Sequence, residues 1–313
     1  MNCKDLATVI TNLLSAIPWL GKSLVESKIN IIKVLDVIGK ISPYAIKKGW
    51  KNEDLNKNKF LNIPYSFLAM LIGLIDGDGY ISINKSKKNF IKICLVISLH
   101  INDISTLNYI QSILNLGKIK TYPKSGKKDT CKLVINKTDL QVYLFPLLVH
   151  HNLYFLTKVR REQYFKALWI MENDIKIFSQ IPNKFFSRVD FVNSKDILDL
   201  NYFDNWIVGF TIAEGSFLIK SNKDACFQLK QRKEEILFEA IKLKFRTNRK
   251  IYFDKNDLYC QLSISKIEDV QNIINFFSFS GNHPLIGLKL ISYQKWLIYL
   301  RNSKRYNNLI FPS

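Results

Sequence analysis

The sequence predicts an α+β fold built from two similar half-domains packed through two helices. Three observations predict it. The first is a pair of matched segments far apart in the chain: Leu71-Ile72-Gly73-Leu74-Ile75-Asp76-Gly77-Asp78-Gly79 and Ile207-Val208-Gly209-Phe210-Thr211-Ile212-Ala213-Glu214-Gly215. Each is an apolar helical stretch with a central glycine that ends in an acid followed by glycine. The second is a wider repeat. Asp78 and Glu214 lie 136 residues apart, Cys94 and Cys226 132, Cys131 and Cys260 129, Asp139-Leu140-Gln141 and Asp269-Val270-Gln271 130, and Lys158 and Lys289 131. Five landmarks recur in one order at nearly constant spacing, and internal periodicity of this kind sets a whole architecture. The third is a switch from helical to alternating hydrophobic period just after each acid-glycine pair.

The elements follow in order. Pro64 and Ser66 sit where helix starts are favoured, and the first motif helix is read from Tyr65 to Ile75. After Gly79, Tyr80, Ser82, Asn84 and Ser86 alternate with Ile81, Ile83 and Lys85, a strand pattern. A basic turn precedes a second strand over Ile91–Leu99. A helix over Asp103–Leu114, two strands around the 124–129 turn, and helices through Trp169 complete the half. The second half repeats the order. Its motif helix runs from Asn205 to Ala213 with Asp204 as a possible cap. Strands follow at 216–221 and 225–231, a helix at 234–245, a hairpin at 249–265, and helices at 267–278 and 289–302. The half-domains are thus 63–169 and 201–313, joined by a linker at 170–200 that contains Pro182.

Glycine on the apolar face lets one helix approach another closely. Two such helices bring Asp78 and Glu214 side by side, and paired carboxylates are what a divalent metal site needs. The cysteines mark equivalent strand positions and need no chemistry of their own. With five cysteines, no CxxC pair and no clustering with the four histidines, a structural zinc site and a secreted disulfide framework are both disfavoured.

The chain has 313 residues, 47% hydrophobic and 13% aromatic, enough for two compact units with large cores. Its net charge is +20, from 46 Lys+Arg against 26 Asp+Glu. Such an excess points to a polyanionic partner, nucleic acid first. Abundant Lys, Asn, Ile and Phe fit an AT-rich genome such as a mitochondrial one.

The matched segments resemble the two LAGLIDADG motifs of a single-chain homing endonuclease or intron maturase, a resemblance that covers residues 63 to 310. The family's eighth motif position holds the metal-binding acid, here Asp78 and Glu214. The second motif departs at its sixth position, where Ile212 replaces the usual acid, a position that is not a metal ligand. The resemblance implies tandem pseudo-twofold αββαββα half-domains, each with an antiparallel DNA-binding sheet that saddles the major groove. It implies Mg2+ held by Asp78 and Glu214, and Lys158 and Lys289 beside the metals at the phosphate or the attacking water. Gln231 would join the water network; by the repeat its partner is Leu99, which hints at unequal sites, with His100 next door as a possible substitute.

On the strand faces, Ser82, Asn84 and Ser86 in the first half and Lys220, Asn222, Gln228 and Lys230 in the second are the candidates for reading base edges. Turn cations Lys87, Lys88, Lys127, Lys128, Lys223, Arg249, Lys250 and Lys255 are the candidates for phosphates, adding salt-dependent affinity without reading sequence.

Residues 1–26 hold an apolar stretch interrupted by Pro18 and Lys22, too short for a membrane span and without a tidy signal-peptide pattern. Ala7-Thr8-Val9-Ile10-Thr11-Asn12-Leu13-Leu14-Ser15-Ala16-Ile17-Pro18-Trp19 resembles a segment of mitochondrial cytochrome b. The stretch reads as an exon remnant fused to an intron reading frame, and residues 27–62 as a linker or peripheral segment. The expectation is a monomeric, mitochondrial, metal-dependent DNA endonuclease with a long double-stranded target and no stable membrane partner. The alternative is a maturase that binds its own group I intron RNA and helps it splice. A transcription regulator on the same fold is disfavoured, since no helix-turn-helix appendage is evident.

Overall fold

A computed structural model describes residues 60–122, 129–182 and 190–313. The exon-like segment 1–26, nearly all of 27–62, and the predicted phosphate contacts Lys127 and Lys128 lie outside the described residues.

The first half opens with α1 (Tyr65–Asp78), which runs directly into β1 (Gly79–Lys85) and β2 (Ile91–His100). Helix α2 (Ile104–Leu114) and strands β3 (Lys118–Tyr122) and β4 (Thr130–Asn136) follow. A helical stretch, α3, is made of Lys137–Asp139, a π-helical turn Leu140–Leu144 and Phe145–His150, and precedes α4 (Lys158–Glu172). The connection carries a short helix α5 (Ser194–Leu198), closed by a capping box between Asn193 and Asp196. The second half contains α6 (Phe203–Glu214), β5 (Gly215–Ile219), β6 (Ala225–Arg232), α7 (Glu235–Lys244), β7 (Tyr252–Phe253), β8 (Tyr259–Ile264), α8 (Ile267–Ser278) and α9 (Gly287–Asn302). The α-β-β-α-β-β-α order read from the sequence is present in both halves.

Among the described residues the strands form two antiparallel four-stranded sheets with the same order, β1-β2-β4-β3 and β5-β6-β8-β7. Their registers match position for position. Gly79 faces Ile97 as Gly215 faces Leu229, and Leu99 faces Cys131 as Gln231 faces Cys260. The cysteine pairs therefore do mark equivalent strand positions, and Leu99 is the counterpart of Gln231. One face of the first sheet is buried through Ile81, Ile93, Leu95, Ile97, Leu133 and Ile135, and one face of the second through Phe227, Leu229, Leu262 and Ile264. The opposite faces stay open.

Helices α1 and α6 form the centre of the molecule. Leu68, Ile72, Leu74, Ile207 and Phe210 have no exposure, so these helices are apolar around most of their circumference. A Cβ built on Gly73 would lie 2.0 Å from the Trp206 carbonyl oxygen, and one on Gly209 1.8 Å from that of Met70. Each glycine thus admits the backbone of the other helix.

Some details differ from the sequence reading. Both motif helices continue through their acids, to Asp78 and Glu214. Asp204 is not a cap: Tyr202 holds that position, and Asp204 pairs with Lys244 at 2.5 Å. Strand β1 ends at Lys85, so Ser86 belongs to the turn, where its Oγ accepts the Phe90 N–H at 2.9 Å. Strand β5 ends at Ile219, so Asn222 also lies in a turn, beside Lys223, which the sequence reading already places there. Asn222 Oδ1 accepts the Asp224 N–H at 3.1 Å, and Lys223 takes φ 66°. Polar side chains that bond to nearby backbone end strands in this way.

Replacing Gly209 by alanine should destabilise the protein by about 3 kcal/mol or more, because the added methyl meets backbone that has no rotamer to move. Urea unfolding would show a lower midpoint at unchanged slope; an unchanged midpoint would mean that the helices are not in this contact.

Candidate nuclease site

Asp78 and Glu214 end α1 and α6 where the two helices emerge from their contact. The third glycine of the crossing, Gly77, lies against the second helix end: its Cβ position is 2.3 Å from the Ala213 Cβ and 3.5 Å from Glu214 Oε1. The Asp78 charge acts on Glu214. Burial pushes the Asp78 carboxyl up to about 6; Lys289 works against that shift and Asp103 adds to it. Burial also pushes Glu214 up to about 7, reinforced by the Asp78 charge and opposed by Gln231, Lys289 and Arg160. Two half-buried carboxyls held this way are under-neutralised, and a cation between them would relieve both.

Gln231 lies against Glu214. Its Nε2 donates to Glu214 Oε1 at 2.9 Å. Its counterpart Leu99 is an apolar, buried side chain. His100 lies on the opposite side of its strand, exposed, with Nδ1 accepting the Asn102 N–H.

Lys289 also lies at the centre. Its Nζ donates to the Gly215 carbonyl, and its charge is favoured by Asp78, Glu214 and Asp103 against the cost of burial. Lys158 does not match it. Lys158 is the first residue of α4, exposed, and its backbone N–H donates to Glu234 Oε1 at 2.7 Å. Lys289 is the third residue of α9, and the third residue of α4 is Arg160. Arg160 couples to Asp76 and Glu214 and lines an open cleft of about 290 Å³ with Gln231, Arg232 and Glu234. Its Nε–H is buried without an acceptor among the described residues. The signal for Arg160 was in the sequence: it precedes Lys289 by 129 residues, the spacing of Cys131 and Cys260.

Asp76, the sixth motif residue, is a clasp. Its carboxylate accepts the Leu156 N–H at 2.8 Å, the Thr157 N–H at 3.2 Å, the Thr157 hydroxyl at 2.5 Å and the Trp206 Nε1–H at 2.7 Å. It ties α1 to α6 and to the segment that launches α4. Burial still pushes it up to about 6. Ile212, its counterpart, is buried among apolar groups.

The open sheet faces are mainly polar, with Val96 and Cys226 buried within them. Directly paired residues share a face. In the first sheet this gives rows Asn84–Lys92, Ser82–Cys94–Asn136, Tyr80–Val96–Val134–Lys118, Ser98–Lys132–Lys120 and His100–Thr130–Tyr122. In the second it gives Leu218–Cys226, Ser216–Gln228–Ser263, Lys230–Gln261–Tyr252 and Arg232–Tyr259. Ser82, Asn84, Gln228 and Lys230 therefore do lie on open faces. Lys220 lies just past β5, its Nζ 3.3 Å from the Ser265 hydroxyl that Arg249 also reaches. Lys87, Lys88, Lys250 and Lys255 are exposed at or near the hairpin turns. The sequence reading missed Lys92, Lys118, Lys120, Lys132, Arg232, Gln261 and Ser263, because the pairing of strands that assembles them is non-local.

The sequence profile described as LAGLIDADG endonuclease matches residues 71–168 and 207–300, each span opening inside one motif helix. The chain belongs to the LAGLIDADG endonuclease family. A probable intron-encoded endonuclease aI3 of Dictyostelium citrinum is 26% identical over 230 residues, covering 72% of this chain and 91% of the relative. Its Dictyostelium discoideum namesake is 28% identical, covering 70% and 90%. The fold is that of solved LAGLIDADG enzymes. The homing endonuclease I-LtrWI bound to target DNA superposes with a TM-score of 0.60 at 19% identity, covering 78% of this chain and 93% of that one. The meganuclease I-SmaMI, bound to uncleaved DNA in the presence of calcium, gives 0.57 at 19%, covering 78% and 93%.

A carboxyl whose folded pKa is raised binds its proton more tightly folded than unfolded, so its contribution to stability falls as pH rises toward the folded value. In metal-free buffer Asp78 and Glu214 should make this LAGLIDADG protein lose stability between about pH 4 and pH 7. The Asp78→Asn, Glu214→Gln double variant should flatten that slope and be more stable at pH 7.5, by on the order of 2 kcal/mol. Urea midpoints across pH test this; parallel wild-type and variant curves would exclude the raised carboxyls.

Proposed function

We propose that this chain is a site-specific homing endonuclease that makes a double-strand break in DNA, encoded by a mitochondrial group I intron of the cytochrome b gene. The observation that carries the reading is the meeting of Asp78 and Glu214 between two open polar sheet faces within one chain. One chain with two unlike halves suits a long, asymmetric duplex site and needs no partner subunit.

The donor set fits a hard divalent ion. Among the described residues no group of three His, Cys, Asp or Glu side chains could hold a metal, which argues against a closed structural site. Two carboxylates with room for water suit Mg2+, which keeps much of its hydration and takes few protein ligands. Asp78 and Glu214 would hold it. When bound, the ion supplies an activated water and neutralises the phosphoryl oxygens. The chain's own groups do the rest. Lys289 and Arg160 place positive charge where the phosphoryl group gains negative charge. Gln231, fixed between Glu214 and the Arg232 N–H that its Oε1 accepts at 2.7 Å, orients that carboxylate and offers its second Nε2–H to the water network on one side only. The rows around Gln228, Gln261 and Ser263 read base edges, and Lys92, Lys118, Lys120 and Lys132 meet phosphates. The LAGLIDADG relatives named as intron-encoded endonucleases support the intron assignment, and Ala7–Trp19 supports cytochrome b as host gene.

Cleavage of a duplex spanning the ligated cytochrome b exon junction tests the reading. A discrete, Mg2+-dependent double-strand cut is expected, and Asp78→Asn should abolish it while keeping DNA affinity. Binding without a cut at that junction or in randomised DNA would overturn the nuclease and turn attention to intron splicing.

Lys120→Ala should weaken binding to all sequences alike and lower the dependence of log K on log salt by about one. Gln261→Ala should instead relax preference at one base pair, by about 1–3 kcal/mol. Titrations at several salt concentrations against matched and singly mismatched duplexes separate the two effects.

A further inference from the structure

We propose that Asp103 and Glu234 are positioning residues, each a carboxylate from one half that caps the helix of the other half on which an active-site cation rides. The assignment rests on the nuclease reading above.

The two contacts are reciprocal. Glu234 follows β6 in the second half, and its Oε1 accepts the Lys158 N–H at 2.7 Å, in the first turn of α4 of the first half. Asp103 follows β2 in the first half, and its Oδ1 accepts the Leu288 N–H at 3.0 Å, in the first turn of α9 of the second half. The first turn of a helix has N–H groups without intrahelical partners, and a carboxylate there satisfies one and favours the helix dipole. Neither Thr157 nor Ile286, the residues at the N-cap positions, makes a side-chain cap of its own. The cross-half carboxylates are therefore the side-chain caps these two ends have.

Each capped turn carries the cation two residues or one residue further on. Arg160 follows Lys158 by two and Lys289 follows Leu288 by one. The register slips by one residue between the halves, and it does so at both ends of the contact. By the strand pairing Asp103 corresponds to Glu235 rather than Glu234, and the shorter acid catches the second helical N–H rather than the first. A contact regained after such a slip is a property of the site and not of the ancestral repeat alone.

The Asp103 end is built closely. Its Oδ1 also accepts the Thr106 hydroxyl at 2.8 Å, which fixes the carboxylate. Gly287, at φ 60°, has its Cβ position 1.9 Å from Thr106 Oγ1 and 2.3 Å from Asp103 Oδ1. Only a residue without a side chain lets the helix end come this close. Asp103 also faces Lys289 electrostatically. The two halves thus lock each other's cation-bearing helix ends, so closure of the interface and assembly of the site are one event.

The readout is strand by strand. Arg160 rides on α4 of the first half and lines the cleft with Gln231 and Glu234, whereas Lys289 rides on α9 of the second half and donates to the Gly215 carbonyl, so the two caps act on different cations. The probe is the duplex cut by the wild type, the cytochrome b junction or one selected from randomised DNA, end-labelled on either strand and followed in single turnover at saturating protein. Glu234→Ala should slow one strand about tenfold or more, as small misplacements of an active-site group do, with the other strand little changed. Asp103→Ala and Gly287→Ala should give the opposite ranking. Glu234→Gln, whose Oε1 still accepts the Lys158 N–H, should restore the rate. DNA affinity should stay within about twofold throughout. Where an alanine variant unfolds, Glu234→Asp, which keeps the charge and shortens the reach, should show the same ranking as Glu234→Ala. Equal slowing of both strands, a Glu234→Gln as slow as Glu234→Ala, or a loss confined to DNA binding would overturn the assignment and leave the nuclease standing. A wild type that cuts no duplex overturns the nuclease reading and the assignment together.

Discussion

The backbone contact between α1 and α6 is the constraint on which the rest depends. The Trp206 carbonyl occupies the place of a Cβ on Gly73, and the Met70 carbonyl that of a Cβ on Gly209. No side chain stands between the helices at these points, so there is no soft layer through which one could slide along the other. Strands β1 and β5 begin at Gly79 and Gly215, directly after the helices end. One contact therefore sets the separation of the two acids, the direction of the two first strands and the placement of the two open faces. A duplex-cutting enzyme needs these three quantities to agree, and here a single piece of packing ties them together.

That contact creates an electrostatic conflict. It carries two carboxyls out of bulk water and toward each other, and both respond by holding protons more tightly. Lys289 and Arg160 offset part of this, but burial works against the Lys289 charge as well. Asp76 shows what full compensation takes: four hydrogen-bond donors aimed at one carboxylate. Among the described residues Asp78 has no such set of donors around it, and Glu214 has the Gln231 amide. Stability withheld at a site of this kind is a common signature of a group kept ready for a ligand.

Much of the fold was legible because its signals are local. The apolar runs around Gly73 and Gly209, the alternation after Gly79, and the repeated cysteines each act within a few residues of themselves. The motif acids were legible for the same reason, since the helix that carries each acid also carries the glycine that brings it to its partner. What was missed depends on pairing across long stretches of chain. Lys92, Lys118, Lys120 and Lys132 reach one face only once β2, β4 and β3 are in register. Ser86 and Asn222 looked like strand residues by alternation, but each bonds to backbone at its own turn. Lys158 matches Lys289 by residue type and spacing, whereas position on the helix matches Arg160 to it.

The halves agree in backbone and disagree in chemistry, around the acids as elsewhere. Gln231 stands where Leu99 does in the other half, Ile212 where Asp76 does, and Lys289 where Arg160 does. A homodimer could not hold such differences, because every substitution would appear on both sides. Fusion into one chain removes that restriction: each half keeps the features that build the interface and varies the rest. The open faces show the same freedom, with lysines prominent on the first and Gln228, Gln261, Ser263, Tyr252 and Tyr259 on the second. A surface with unlike halves favours a duplex with unlike half-sites, so the asymmetry around the two acids and the asymmetry that would select the target have one origin in the duplication.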